Sequence, residues 1–234
     1  MSEHDALLLE LKNISVAVED KTLFSGLDLD LRSGEIIAVC APSGYGKTSL
    51  LRAIAGLSDF ASGEVLLRGK TPFETGWPCY RRRVVLLDQK PVLFDMSVRE
   101  NLSRVFNYKS ASNAFDESRA IELLYRLGMN EDVLDKNARS LSVGEQQRVC
   151  LVRALIIDPQ VLLMDEPSSA LDEKSESKLE ELIRFEASSR KLAALVVTHK
   201  STQAERFADK KLNLETLNLS PCASDCVCPD GRTQ

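Results

Sequence analysis

The chain has 234 residues, 44% hydrophobic and 28% charged, with only 11 Gly and 8 Pro, a globular composition that excludes collagen, low-complexity and disordered classes and suits one large domain or one domain carrying an insertion. Its 30 basic and 35 acidic residues leave a net charge of −5, which argues against a broad nucleic-acid-binding face but leaves room for a local phosphate site. No apolar run approaches the ~20 residues of a membrane helix, and the opening MSEHDALLLELKN lacks the basic-then-hydrophobic order of a signal peptide, so a chain that neither spans a membrane nor is secreted is expected. Six cysteines are too few for a disulfide scaffold. Cys40, Cys79 and Cys150 lie in apolar or mixed segments and read as buried free thiols of a reducing compartment.

In chain order, the stretch from Leu9 to Val18 reads as a strand. So does the next, where Leu27, Leu29 and Leu31 alternate with Asp28, Asp30 and Arg32. Ser33-Gly34 makes a turn. The uniformly apolar IIAVC (Ile36 to Cys40) then runs into a loop holding Gly44 and Gly46, followed by a helical pattern, TSLLRAIAGL, that stops at Gly56. Arg81, Arg82 and Arg83 precede the strand VVLLD and read as a solvated helix end. From about Pro91 to Ile157 the pattern is mostly helical. Ser97 and Glu100 form a capping box, a second helix carries Ile121, Leu123, Leu124 and Leu127 up to Gly128, and a third begins near Ser142. Two apolar runs follow, VLLMD (Val161 to Asp165) and AALVVTH (Ala193 to His199), separated by a charged helix from Glu173 to Ala187. Strands followed by helices predict an α/β fold with a parallel sheet covered on both faces and a helical segment inserted in the middle. The stretch from Ser220 lacks periodicity and reads as frayed. Its Cys222, Cys226 and Cys228 resemble a soft-metal spacing but are three ligands without a fourth, so free thiols are preferred.

The chemistry sits in APSGYGKT, Ala41 to Thr48, between a strand and a helix. Backbone N–H groups from Gly44 to Thr48 surround a phosphate there, with Lys47 reaching the β/γ-phosphates and Thr48 holding Mg²⁺. The full pattern begins with Gly where this chain has Ala41. A methyl group at that place is harmless at negative φ and costs about 1–2 kcal/mol in the left-handed region, so negative φ is expected. VLLMDEP ends a strand in adjacent carboxylates, placing Asp165 near the metal and Glu166 near an attacking water. LSVGEQQR adds Ser142 and Gly144 at a helix N-terminus, a second anion cradle on the same chain.

With these motifs in order, the chain resembles the ATP-binding-cassette (ABC) family over nearly its whole length. APSGYGKT resembles the Walker A loop, Gln89 the Q-loop, LSVGEQQR the signature, VLLMDEP the Walker B strand, SALD (Ser169 to Asp172) the D-loop and His199 the switch histidine. The resemblance implies a P-loop NTPase core of ABC type with an N-terminal antiparallel β-layer and an inserted helical subdomain. Residues 1–90 and 154–234 would form the nucleotide-binding core, with a loose tail beyond about 220, and residues 91–153 the helical signature subdomain. It also implies an ATP-bound homodimer with two nucleotides, each held between the phosphate loop of one copy and Ser142, Gly144 and Glu145 of the other. ATP and Mg²⁺ are the implied ligands. ATP would contact Ala41, Pro42, Ser43, Gly44, Tyr45, Gly46, Lys47, Thr48 and Ser49, and Thr48, Gln89 and Asp165 would face the metal. Glu166 is then the general base, Lys47 a charge stabiliser, Gln89 a water and metal sensor and His199 a clamp on the transition state.

This chain departs from the family pattern at Val143, where Gly is usual and the larger side chain adds bulk beside the γ-phosphate, and at Glu145, where Gln is commonest. The family's aromatic platform for adenine aligns near Val18, and no ring precedes Phe24. Two classes of function fit: the nucleotide-binding subunit of a transporter, working with a separate transmembrane permease, or a cassette ATPase of an assembly process such as iron–sulfur biogenesis. KPVLFDMSVRENL after Gln89 resembles the transporter type, and within it the bacterial ATP-binding subunits assigned to iron export. A peripheral place on the cytoplasmic face of the cell membrane and no nucleic-acid partner are the corresponding expectations. Five apolar residues, Val92, Leu93, Phe94, Met96 and Val98, exceed what a short helical connection buries, so some should stay exposed as a docking surface.

Overall fold

The computed structural model describes residues 6–18, 21–108, 114–198 and 201–222. Strands β1 (Leu7–Val18) and β2 (Lys21–Arg32) pair antiparallel, with Leu11 opposite Leu29 and Glu10 opposite Asp30, so the alternation read in the sequence separates a buried leucine face from a charged one. After the Ser33-Gly34 turn come β3 (Ile36–Cys40), the phosphate-type loop and helix α1 (Lys47–Ile54). Strand β4 (Ser62–Leu67) returns to the free edge of β1 and completes a three-stranded antiparallel layer.

The short helices α2 (Pro72–Thr75) and α3 (Trp77–Arg83) lead into β5 (Val84–Leu87). The three arginines form the last turn of α3, as read: Arg81, over the Trp77 ring, and Arg83 are exposed, and Arg82 is half-buried over Phe106. Cys79 corrects the expectation of a buried thiol, because α3 buries only Tyr80 and leaves Cys79 on its exposed face. Cys40 is half-buried and Cys150 buried.

The middle of the chain supplies α4 (Val98–Ser103), α5 (Glu117–Arg126) and α6 (Val143–Leu155). Then β6 (Val161–Asp165), α7 (Glu173–Arg190), β7 (Ala193–Val197), α8 (Ser201–Phe207), β8 (Lys210–Asn213) and β9 (Asn218–Pro221) complete the chain. A six-stranded sheet runs in the order β5-β6-β7-β3-β8-β9, parallel except for the hairpin between β8 and β9. That hairpin overturns part of the frayed-tail expectation, since Ser220 pairs with Lys211 and Pro221 with Lys210. Backbone pairing on a solvent-exposed edge needs no side-chain periodicity, so the sequence pattern could not reveal it.

The parallel strands are apolar on both faces because both faces are covered. Ile37, Val39, Leu163, Leu195 and Val197 face a core shared with α1 and the antiparallel layer. Ile36, Ala38, Leu162, Met164 and Val196 face a second core built with α4 to α8. A buried ion pair of 2.5 Å, Arg119 with Glu186, and Arg126 over the Phe185 ring fasten α5 to α7. All parallel strands point their C-terminal ends the same way. The order β6-β7-β3 therefore brings the end of β6, with its carboxylates, within one strand of the loop that leaves β3, the crevice where open α/β sheets bind ligands.

Candidate ATP site

The loop after β3 folds as it does because two glycines permit it. Gly44 and Gly46 take φ of 82° and 84°, and at Gly46 an added Cβ would stand 2.8 Å from Leu23 Cδ1, so neither backbone strain nor space admits a side chain there. Gly46 is also the N-cap of α1 and offers no side chain, which leaves the first N–H groups of the helix without a side-chain cap and facing the loop. Ala41 is not among the positive-φ positions, as expected, so its methyl costs no strain. Pro42, Ser43 and Gly44 line the exposed rim of the loop, with Tyr45 and Ser49 half-buried beside them.

Lys47 is buried in this loop, and its Nζ donates to the carbonyls of Ala41 (2.7 Å) and Pro42 (2.9 Å). Burial lowers its pKa, while Glu166 and Asp165 pull the other way. Thr48 Oγ1 donates to Asp165 Oδ2 at 2.6 Å, joining α1 to the end of β6. Asp165 is only 5% exposed. Burial holds its carboxyl above the usual aspartate range against the Thr48 hydrogen bond, and the neighbouring Glu166 and Asp88 add to the effect. Glu166 has φ of 48°, a left-handed backbone rare for a residue with a side chain, and its N–H donates to Val197 O at 3.1 Å. Gln89 Nε2, from the loop after β5, donates to Glu166 Oε2 at 2.8 Å. Lys47, Thr48, Gln89, Asp165 and Glu166 are thus gathered in one place.

The second candidate anion site, at the start of α6, looks different. Ser142 caps α6 in a full capping box: Ser142 Oγ donates to Glu145 Oε2 (2.7 Å), and the Glu145 N–H donates back to Ser142 Oγ (3.3 Å). The Ser142 hydroxyl, then its backbone N–H, holds the Glu145 carboxyl below its usual range. Gly144 is the second residue of α6, two positions inside the cap, and Val143 before it is exposed. This helix end is already occupied by an anion of its own.

His199, Cys226 and Cys228 lie outside the described residues. Cys222 is half-buried, with Sγ against Ala204 O. Val18, at the end of β1, is 48% exposed, Phe24 is buried in the core, and Tyr45 Oη donates to Glu215 Oε1 at 3.2 Å. After Gln89, Val98 is fully buried and Leu93 and Met96 partly so, whereas Val92 and Phe94 are exposed, with Arg104 over the Phe94 ring. Sequence reasoning missed Ser168, Glu180 and Gln203, a buried polar cluster behind Glu166, because none of them belongs to a motif and only burial marks them.

The sequence profile of the ABC transporter family matches residues 24–169, from β2 past both carboxylates. The chain belongs to that family. It is 33% identical to the "probable iron export ATP-binding protein FetA" of Escherichia coli K12, over 91% of this chain and 93% of FetA. It is 36% identical to the "spermidine/putrescine import ATP-binding protein PotA" of Spiroplasma citri, over 87% of this chain but 57% of PotA, so it spans little more than half the length of that import relative. Among solved structures, an ATP-binding subunit of an ABC transporter superposes with a TM-score of 0.81 at 25% identity, over 92% of this chain and 90% of that one. A dimeric ATP-binding cassette in a post-hydrolysis state with ADP and Pi gives 0.79 at 25%, over 93% and 100%. This ABC cassette binds ATP and is an ATPase. No described helix is long and apolar enough to cross a membrane.

Proposed function

We propose that this chain works as an ATP-dependent homodimer at the cytoplasmic face of the cell membrane, where it energises a separate transmembrane permease that exports a metal ion such as iron. The observation that carries the reading is the 2.6 Å contact between Thr48 and Asp165 beside a buried Lys47, with Gln89 against Glu166. The export reading draws on the similarity to FetA. Residues 91–153 act as the helical unit of the cassette, residues 1–90 and 154–234 as its core.

The residues fit a hard divalent cation. A hydroxyl and a buried carboxylate already meet, and burial disfavours the Asp165 charge until a cation compensates it. Thr48, Asp165 and the Gln89 amide oxygen would hold Mg²⁺, which would supply neutralisation of phosphate charge. ATP docks against the N–H groups from Gly44 to Thr48, and Lys47 exchanges the Ala41 and Pro42 carbonyls for phosphate oxygens. Glu166 accepts the proton of the attacking water, and Gln89 holds its carboxylate in place. The Ser142 hydroxyl of a second copy turns from Glu145 to the γ-phosphate, Gly144 N–H assists, and His199 clamps the transition state.

Glu166→Gln tests the central role. A general base is worth ~10²–10⁴ in rate, so hydrolysis should slow by that order while titration with a fluorescent ATP analogue shows unchanged binding. Wild-type hydrolysis by this variant would remove Glu166 from the chemistry and the reading with it.

A further inference from the structure

Behind the carboxylates lies a polar cluster that the phosphate site does not use. Gln203, on α8, is 2% exposed. Its Oε1 accepts from Thr198 Oγ1 (2.6 Å), and its Nε2 donates to Ser168 Oγ (3.0 Å) and Glu180 Oε1 (3.1 Å). Arg206 donates to the same carboxylate from Nε (2.9 Å) and Nη2 (2.8 Å). Ser168, Glu180 and Thr198 are buried too.

The direction of every bond is fixed. A carboxylate only accepts, so Glu180 turns the Gln203 amide with its NH₂ toward α7, which leaves the amide oxygen for Thr198 and the second N–H for Ser168. The cluster is costly if half satisfied and specific if complete, because each buried group that loses its partner is left desolvated. What it joins gives it a role. Thr198 follows β7 and directly precedes His199 in the chain. Ser168 belongs to the turn after β6, in which Ser169 N–H donates to Glu166 O and Leu171 N–H to Ser168 O. Glu166 starts that turn with its left-handed backbone, held to β7 by the bond from its N–H to Val197 O. The loops leaving β6 and β7 are therefore tied twice, once by backbone at Val197 and once by the Gln203 side chain.

We propose that Gln203 is a positioning residue for ATP hydrolysis: it sets the Ser168 turn, and with it Glu166, against the end of β7. It touches no described residue of the phosphate loop, so its loss should leave nucleotide binding intact. The proposal rests on Glu166 acting on the attacking water, and a displacement of ~1 Å there is enough to cost up to ~10²-fold in rate.

The test is steady-state ATP hydrolysis by Gln203→Met, which keeps the length and removes the hydrogen bonds, with kcat expressed per ADP-binding site so that unfolded protein does not count. We expect kcat to fall about tenfold or more, with KM within about twofold of wild type. Ser168→Ala should lower kcat less, and the double variant should be no slower than Gln203→Met alone, since both cut the same tie. Tyr80→Phe, which deletes a buried hydrogen bond to Ile54 O far from the turn, should keep wild-type kcat and serves as the control for lost stability. Wild-type kcat in Gln203→Met, or additive losses in the double variant, would overturn the proposal. Should Gln203→Met fail to fold, Ser168→Ala decides by the same split between kcat and KM, unchanged kcat being the contrary result. Glu166→Gln run alongside separates the two ideas. If it is slow while Gln203→Met is normal, only the positioning role falls; if it hydrolyses at the wild-type rate, the role of Glu166 and this proposal fall together.

Discussion

The two proposed anion sites of this chain, the loop before α1 and the N-terminus of α6, share the same physics and differ in condition. At α1 the helix end has no side-chain cap, its lysine rests on loop carbonyls, and a buried aspartate is held against its preference for water. At α6 the helix end is closed by its own serine and glutamate on an exposed surface. The first holds stored electrostatic cost that a nucleotide and a cation relieve. At the second, a phosphate arriving in the proposed dimer would have to displace the Glu145 carboxylate from Ser142, which would make the α6 end act after the first site has bound ATP.

The hardest blow to this contrast comes from Asp165→Asn. Metal-dependent hydrolysis should fall at least ~10²-fold, because the one charged group among the three side chains proposed to hold the metal becomes neutral. The nucleotide-free protein should become more stable, by about 2–4 °C in Tm for ~1 kcal/mol of relieved burial. The sign follows from the raised pKa: asparagine mimics the protonated acid, so the gain is present at neutral pH and fades below the usual aspartate value, where wild-type Asp165 is protonated both folded and unfolded. Thermal scans at neutral and acid pH check both parts, and a fall in Tm at neutral pH would mean that Asp165 carries no stored cost. At the other end, Glu145→Gln keeps the capping box and removes its charge. ATP-driven dimerisation should tighten about three- to tenfold with monomer affinity for ATP unchanged; weaker dimerisation would show that the carboxylate helps the partner's nucleotide.

These two regions also differed in legibility. That Gly44, Gly46, Lys47, Thr48, Asp165 and Glu166 meet in one place could be read in the sequence, because the task proposed for each suits few residue types, at a spacing set by a strand, a loop and a helix. The helix start at Ser142 could be read as well, but its capping box needed coordinates, since S-x-x-E does not say whether the serine hydroxyl is spent on Glu145. Strand β9, the exposed Cys79 and the Gln203 cluster were invisible for a shared reason. Each is decided by what tertiary packing places opposite it, the β8 edge, the far side of Tyr80 and the turn after Glu166 respectively.

Smaller effects sharpen the account at its margins. Phe94, 46% exposed with Arg104 over its ring, should tolerate Phe94→Ala with basal ATPase near wild type, while co-purification with the membrane subunit weakens. Loss of folding would place it in the core instead. Smallest of all is the base: with the half-exposed Val18 expected at the platform position and Phe24 buried, the preference for ATP over GTP should be less than a hundredfold. Val18→Tyr should improve ATP binding only several-fold, for ~0.5–1.5 kcal/mol of stacking. A stronger native preference measured by competition would point to another ring, with Tyr45 the first to substitute.

In the proposed dimer an open phosphate loop on one copy and a self-capped α6 on another complete a single site. Light scattering of Glu166→Gln, with Mg²⁺ and with or without ATP, tests it most directly, because slowed hydrolysis holds the assembled state. The protein should be a monomer without nucleotide, a dimer with ATP, and a monomer again when Ser142→Phe is added to block the α6 end. A persistent monomer with ATP bound, or a dimer indifferent to Ser142→Phe, would contradict it.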